Sequence, residues 1–338
     1  MNVGSTFSGV GGFDLGFERA GMSVLWQAEI DDWCRRVLRN HWPQATIYDD
    51  VRAVGSGAAP VDLLCGGFPC QDLSVAGKRL GFEGERSSLF FEFARIADEL
   101  RPRWIVLENV VGLLSSAEGR DFGILLATLA DLGYGVGWRV VDARYFGVPQ
   151  QRRRVFIVGC LRDDGERAVR AVGAGGEGDL KAGDCSWLSP DAKLSDGIKP
   201  GGSARPFVQQ RVAKCLTTKR RHDAQFETYV DSGANSVVET EKLSKAPLAG
   251  SPRCDAETET FITSTQKVRR LTPIESERLM SWPDGWTAID GDKTPDSKRY
   301  AACGNGVVAN VSEWIGRRIM AIDYAVDGIN ASLSKGDQ

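Results

Sequence analysis

Histidine is almost missing from this chain of 338 residues, with His41 and His222 the only two. Its eight cysteines follow no regular spacing and never form C-x-x-C. The clustered ligands of a zinc site are therefore lacking, and no metal is expected. No apolar run is long enough to span a bilayer. The N-terminus has no basic start followed by an apolar stretch, so no export signal is read there. These gaps point to a reduced, cytoplasmic setting with no membrane partner. A large excess of positive charge is also absent, the formal net charge being −3. The basic residues are nevertheless gathered. Gly201 to His222 holds Arg205, Arg211, Lys214, Lys219, Arg220 and Arg221 and no acidic residue. Arg152–Arg154 and Lys267–Arg270 form two further groups. An acidic protein can still present a basic cleft to nucleic acid, and solvated surface charge is the plainer reading of any one group.

What is present is an alternation of strand and helix signals. Strands are predicted at Val3–Phe7, Ser23–Ala28, Ala45–Tyr48, Val61–Cys65, Trp104–Leu107, Arg139–Asp142 and Val155–Gly159. Helices are predicted at Phe13–Ala20, from Asp31 or Asp32 to about Asn40, at Ser87–Leu100 and at Phe122–Leu132. Such alternation predicts an α/β fold, a Rossmann-like, mostly parallel sheet with helices on both faces. From about Arg162 to Gln266 helical periodicity fades into glycine, serine, threonine and charge, which predicts a smaller, loop-rich domain. Thr272-Pro273-Ile274-Glu275 has the form of a capping box. A last helix is predicted from about Asn305 to Tyr324.

Several residues could carry chemistry. Cys70, in Gly66-Gly67-Phe68-Pro69-Cys70-Gln71, follows the apolar run Val61–Cys65. The carboxyl end of a strand is where α/β enzymes keep their sites; taken alone, a buried thiol is the simpler reading. Phe7-Ser8-Gly9-Val10-Gly11-Gly12 links the first strand to the first helix, where backbone and helix N-terminus favour an anionic group. A dinucleotide fingerprint would place its third glycine where Asp14 stands. A carboxylate there opposes a pyrophosphate, and with it a nucleotide-dependent oxidoreductase, but suits a ligand carrying positive charge. Glu29 ends the second strand, twenty residues after Gly9, where a carboxylate can take both ribose hydroxyls. Asp50 follows the third strand and could accept from an adenine amino group. Glu108 ends the strand Trp104–Leu107, as a rim carboxylate or a helix cap. Arg152 and Arg154 alternate onto one face before the last strand, as ligands for a phosphate or carbonyl or as edge charges.

These segments, in this order, resemble the DNA (cytosine-5)-methyltransferase family. The likeness rests on F-S-G-V-G-G at Phe7–Gly12, G-G-F-P-C-Q at Gly66–Gln71 and E-N-V at Glu108–Val110. It continues in Q-x-R-x-R at Gln150–Arg154, R-x-L-T-P-x-E at Arg269–Glu275 and G-N-G-V at Gly304–Val307. The resemblance implies a catalytic, S-adenosylmethionine-binding domain over 1–160, a target-recognition domain over 161–295 and a returning C-terminal segment over 296–338. It implies Cys70 as the thiol that attacks C6 of a flipped cytosine, Glu108 as the acid at N3, Arg152 at O2, and Arg154 near Cys70 or a phosphate. On the cofactor side it implies Phe7, Gly9, Gly11, Gly12, Glu29, Ile30, Asp50, Val51, Pro69, Leu89, Asn305 and Val307. Lys214, Lys219, Arg220 and Arg221 become candidate contacts to double-stranded DNA. A monomer associated with the nucleoid is expected, with a companion restriction endonuclease as the candidate protein partner. Two alternatives stand beside this reading: a transfer-RNA cytosine-5 methyltransferase on the same fold, and a non-catalytic DNA-binding homologue.

Overall fold

A computed structural model describes residues 1–69, 89–162, 165–172, 213–214, 229–231, 261–264, 267–289 and 295–333. They fall in two compact units. The first is Met1–Val141, Arg153–Asp179 and Gly306–Gln338; the second is Asp142–Arg152 and Leu180–Asn305. The predicted boundaries at 160 and 295 do not coincide with this division, because Asp142–Arg152 groups with the later segment and Gly306 onward with the first.

The first unit is built on one sheet of seven strands: β1 (Asn2–Thr6), β2 (Ser23–Ala28), β3 (Thr46–Tyr48), β4 (Leu63–Gly66), β5 (Trp104–Val110), β6 (Tyr134–Asp142) and, after the two-residue β7 (Gln150–Gln151) of the second unit, β8 (Arg153–Leu161). Their order is β3-β2-β1-β4-β5-β8-β6. The first five strands of that order run parallel, and β8 turns antiparallel against β5. The mostly parallel sheet expected from the sequence is therefore present. The chain moves from β1 outward to β2 and β3, then crosses back to β4 on the other side of β1. That reversal opens a crevice at the carboxyl ends of β1 and β4, where ligands bind in sheets of this type.

Alternation along β8 puts helices on both faces. Val155 and Ile157 join the buried cluster that holds Phe90, Phe93 and Ile96 of α3 (Leu89–Leu100) and Leu125 and Leu129 of α4 (Arg120–Asp131). Phe156, between them, meets Phe13 of α1 (Gly12–Arg19) edge to face. Asp31 caps α2 (Asp32–His41) by accepting from the Cys34 N–H at 2.9 Å. A short helix, α5 (Glu166–Ala171), lies in the stretch read as loop.

In the second unit, β9 (Ala213–Lys214) pairs with β7, and β10 (Tyr229–Asp231), β11 (Phe261–Ser264) and β12 (Lys267–Arg270) form a small sheet. The capping box is present: the Glu275 N–H donates to Thr272 Oγ1, and the Thr272 N–H donates to Glu275, at the start of α6 (Pro273–Leu279).

The last helix predicted from the sequence is α8 (Ala309–Leu333), and a helix that was not predicted, α7 (Asp296–Asn305), precedes it. Gly306-Val307-Val308 separates them, and Val307 is drawn against α1. The approach is close enough that a Cβ at Gly12 would stand 2.4 Å from the Val307 carbonyl oxygen, so no larger residue fits there unless the backbone moves. The Ser312 hydroxyl of α8 donates to the Gly12 carbonyl at 3.0 Å. No helix among the described residues is long and apolar enough to cross a membrane.

Candidate active site

The carboxyl ends of neighbouring strands in the first unit carry most of the expected residues. Phe7 follows β1, half-buried against the core, with a φ of +53° that bulky side chains rarely adopt. Gly9 takes φ +57°, and its N–H donates to Glu29 Oε2 at 2.7 Å. The other oxygen of Glu29 accepts from the Asp31 N–H at 2.8 Å. Glu29 thus joins the loop after β1 to the start of α2, and its remaining lone pairs stay available to a pair of hydroxyls. Ile30, beside it, is 75% exposed, whereas Val51 is buried. Asp50 accepts from the Arg52 N–H at 2.9 Å and pairs with the Arg52 guanidinium at 3.2 Å, which orients its carboxylate at the end of β3.

Two carboxylates, an open backbone turn and an exposed apolar side chain together suit the adenosine portion of S-adenosylmethionine: hydroxyls and an amino group for Glu29 and Asp50, a ring for Ile30. Gly11 and Gly12 open α1 beneath. Pro69 is exposed at the end of β4's loop, and Leu89 packs half-buried at the start of α3. Val307 reaches this unit through Gly12, while Asn305 ends α7 in the second.

A second group lies at the ends of β4 and β5. Glu108 is largely buried, and Arg154 Nε, arriving on the antiparallel neighbour β8, lies 2.9 Å from Glu108 Oε1. The opposite oxygen faces the chain leaving β4: a Cβ at Gly67 would sit 3.3 Å from Glu108 Oε2. Asn109, also buried, donates from Nδ2 to the Phe68 carbonyl at 3.0 Å and accepts the Val110 N–H on Oδ1 at 2.8 Å. This clamp holds the segment that runs into Cys70. It was not singled out from sequence, although an asparagine inside a buried strand carries that signal. Cys70 itself lies outside the described residues.

The two arginines read as alternating onto one face take different partners. Arg154 pairs with Glu108. Arg152, in the second unit, is buried and donates from Nη2 to the Gly304 carbonyl at 2.9 Å. Next to it, Gln150 Nε2 donates to the Leu279 carbonyl at 2.9 Å. Lys214 lies in β9, paired with Gln151; Lys219, Arg220 and Arg221 fall outside the described residues.

Asp14 is placed otherwise than the glycine count suggested. It does not face a ligand across the loop but is fully buried below it, accepting from Gln27 Nε2 at 2.9 Å and the Ser5 hydroxyl at 3.2 Å. Burial pushes its carboxyl up from 3.8 to about 6, against the lowering effect of those hydrogen bonds.

This geometry has relatives. The type II methyltransferase M.Eco47II of Escherichia coli is 32% identical over 349 residues, which cover 96% of this chain and 79% of that protein. M2.BsuMI of Bacillus subtilis is 29% identical over 332 residues, covering 94% and 75%. M.HhaI of Haemophilus parahaemolyticus is 27% identical over 323 residues, covering 93% and 92%. Among solved structures, S. pombe Dnmt2 methyltransferase superposes with a TM-score of 0.60 at 14% identity, covering 95% of this chain and 99% of that one. The Entamoeba histolytica methyltransferase EhMeth gives 0.58 at 15%, covering 95% and 98%. These two likenesses concern the fold. The C-5 cytosine-specific DNA methylase model matches residues 1–321, and the chain belongs to that family.

Proposed function

We propose that this protein methylates C5 of cytosine within a specific double-stranded DNA sequence, through a flipped base and a covalent bond from Cys70 to C6. One observation carries the reading furthest. The buried Glu108, braced by Arg154, abuts Gly67, three residues before Cys70. A carboxyl held beside the chain that leads into a thiol is the pairing that addition across the C5–C6 bond of a cytosine needs.

The target base leaves the duplex, at a cost of a few kcal/mol. The Cys70 thiolate then forms the S–C6 bond, and the electron pair of the C5–C6 double bond shifts through the ring toward N3, where Glu108 stabilises it. C5 becomes nucleophilic. S-adenosylmethionine, when bound, supplies the electrophilic methyl group for that carbon. Loss of the C5 proton to a base and breakage of the S–C6 bond restore the aromatic ring and the free thiol. Arg154 holds Glu108 in place throughout, and Arg152 serves the O2 side. Glu29 holds the cofactor's ribose, with Phe7, Ile30, Asp50, Val51, Pro69, Leu89, Asn305 and Val307 around its adenine and methionine ends. Lys214, Lys219, Arg220 and Arg221 lie along the DNA, chiefly on phosphates. The protein acts as a monomer in the cytoplasm, and the type II names of its relatives make a companion endonuclease the partner to look for.

Duplex DNA in which 5-fluorocytosine replaces the target tests this, because fluorine at C5 cannot leave as a proton does. A covalent adduct is expected with the wild-type protein and none with Cys70→Ala. An adduct that survives the substitution removes Cys70 from the mechanism, and methylation of transfer RNA but not duplex DNA would make the alternative substrate the right one.

A further inference from the structure

Beneath the loop Phe7–Gly12 lies a polar cluster that the mechanism leaves unused. The Ser8 hydroxyl donates to Ser5 Oγ at 3.0 Å, with the Ser5 carbonyl also within reach at 3.1 Å. The Ser5 hydroxyl donates to Asp14 Oδ2, and Gln27 Nε2 donates to Asp14 Oδ1. Ser5, Asp14 and Gln27 have no exposed surface. At the upper end, the Ser8 N–H donates to the Ala28 carbonyl at 3.1 Å, and the next N–H, that of Gly9, reaches Glu29.

The hydrogens in this chain run one way, from Ser8 to Ser5 to Asp14. Both oxygens of Asp14 accept, so the cluster is arranged for a carboxylate. Once protonated, the acid must donate where it now accepts. Either the Ser5 hydroxyl turns away, or Gln27 swings its amide to offer Oε1, an atom without a partner in the present arrangement. In both cases the Ser5–Asp14 bond loses its charge assistance, which roughly halves such a bond's strength.

We propose that Asp14 is a positioning residue for the cofactor loop: its carboxylate fixes the Ser5–Ser8 hydroxyl pair, which sets the turn into Gly9 and Glu29, so that cofactor affinity follows the ionisation of Asp14. The proposal rests on the reading of Phe7–Gly12 as the S-adenosylmethionine loop. Two other titratable groups face Asp14. Glu18, further along α1, raises its carboxyl through like charge. Cys65 of β4 is a neutral thiol, pushed well up by burial first and by the Asp14 charge second, against the lowering effect of the Ser5 hydrogen bond. With the Asp14 carboxyl near 6, the anchored loop is the form above that pH and is lost as pH falls through it.

Calorimetric titration of the full chain with S-adenosylhomocysteine between pH 5 and 8 tests this. Wild type should bind about fivefold more weakly at the acid end, the loss expected when one charge-assisted bond becomes neutral. Asp14→Asn should bind at that weaker level with no such step in pH. Ser8→Ala, at a half-buried surface position, should do the same while a carbon-13 resonance of Asp14 still titrates. Glu29 and Asp50 are common to all three proteins, so they do not produce the difference. Either variant keeping both wild-type affinity and wild-type pH dependence would overturn the proposal. So would tight wild-type binding that is flat in pH. Absence of binding by wild type at every pH would instead overturn the cofactor-loop reading, and the proposal with it. Ser8→Ala decides the matter if Asp14→Asn does not fold.

Discussion

Asp14→Asn should change how the stability of this protein follows pH. In the native state the carboxyl is pushed from 3.8 to about 6, first by desolvation. The native state therefore binds this proton more tightly than the unfolded chain does. That contribution to stability is fully present below about pH 4 and is lost as pH rises through about 6. A shift of roughly two units corresponds to about 3 kcal/mol. Asparagine keeps the shape and does not titrate. The stability of the variant relative to wild type should then grow by about 3 kcal/mol between pH 4 and pH 7.5. Any constant offset from altered hydrogen bonding cancels in that comparison, as do the carboxylates common to both proteins. Urea unfolding at a series of pH values gives each stability by linear extrapolation. Two curves that stay parallel across the range would refute the argument, since Asp14 would then titrate alike in the folded and unfolded chains.

Asn109→Ala should leave the Phe68 carbonyl and the Val110 N–H without their clamp, costing about 1–3 kcal/mol in thermal or urea unfolding; methyl-transfer rate should fall while S-adenosylhomocysteine affinity stays near wild type. Ser281 has φ +57°, so Ser281→Gly should relieve left-handed strain and raise stability by about 0.5–1 kcal/mol, read as an upward shift in Tm. Glu277 is fully buried, lies 2.7 Å from Arg299 Nη2 and accepts the N–H groups of Gly285 and Thr287. Glu277→Ala should cost about 3–5 kcal/mol in unfolding measurements, because the guanidinium loses its buried partner.

The sheet was readable because its strands are short apolar runs between turn residues. Ser23–Ala28 has the predicted bounds, and β1, β3, β4 and β5 lie within a few residues of theirs. Thr272-Pro273-Ile274-Glu275 was readable because a capping box is a local device, complete within four residues. Helix α7 escaped notice because Asp296–Asn305 has little apolar periodicity, its buried residues being Cys303 and Gly304 at its end. At the site, strand ends placed Glu29 and Glu108 on the rim, but sequence could not say which partner each would take. Arg154 reaches Glu108 only because β8 runs antiparallel beside β5, and that pairing is a property of the sheet. Asp14 was misplaced for a related reason. It lies on α1 three residues before the buried Phe17, so both point inward, and only the polar Ser5 and Gln27 on the strands beneath make that orientation tolerable for a carboxyl.

The close seat of Val307 and Ser312 on Gly12 also bears on how the protein is made. The helix that covers α1 is separated from it by almost the whole chain, so during synthesis α1 emerges long before its cover. Until α8 leaves the ribosome, Phe17 and Met22 lack the backbone of Gly316, which packs close enough that a Cβ there would touch both. The early part of the chain must therefore wait with an apolar helix face uncovered, a state in which nascent proteins are prone to aggregate. A premature stop anywhere before α8 removes that cover altogether, so α1, beside the loop that bears Phe7, depends for its cover on residues translated long after it.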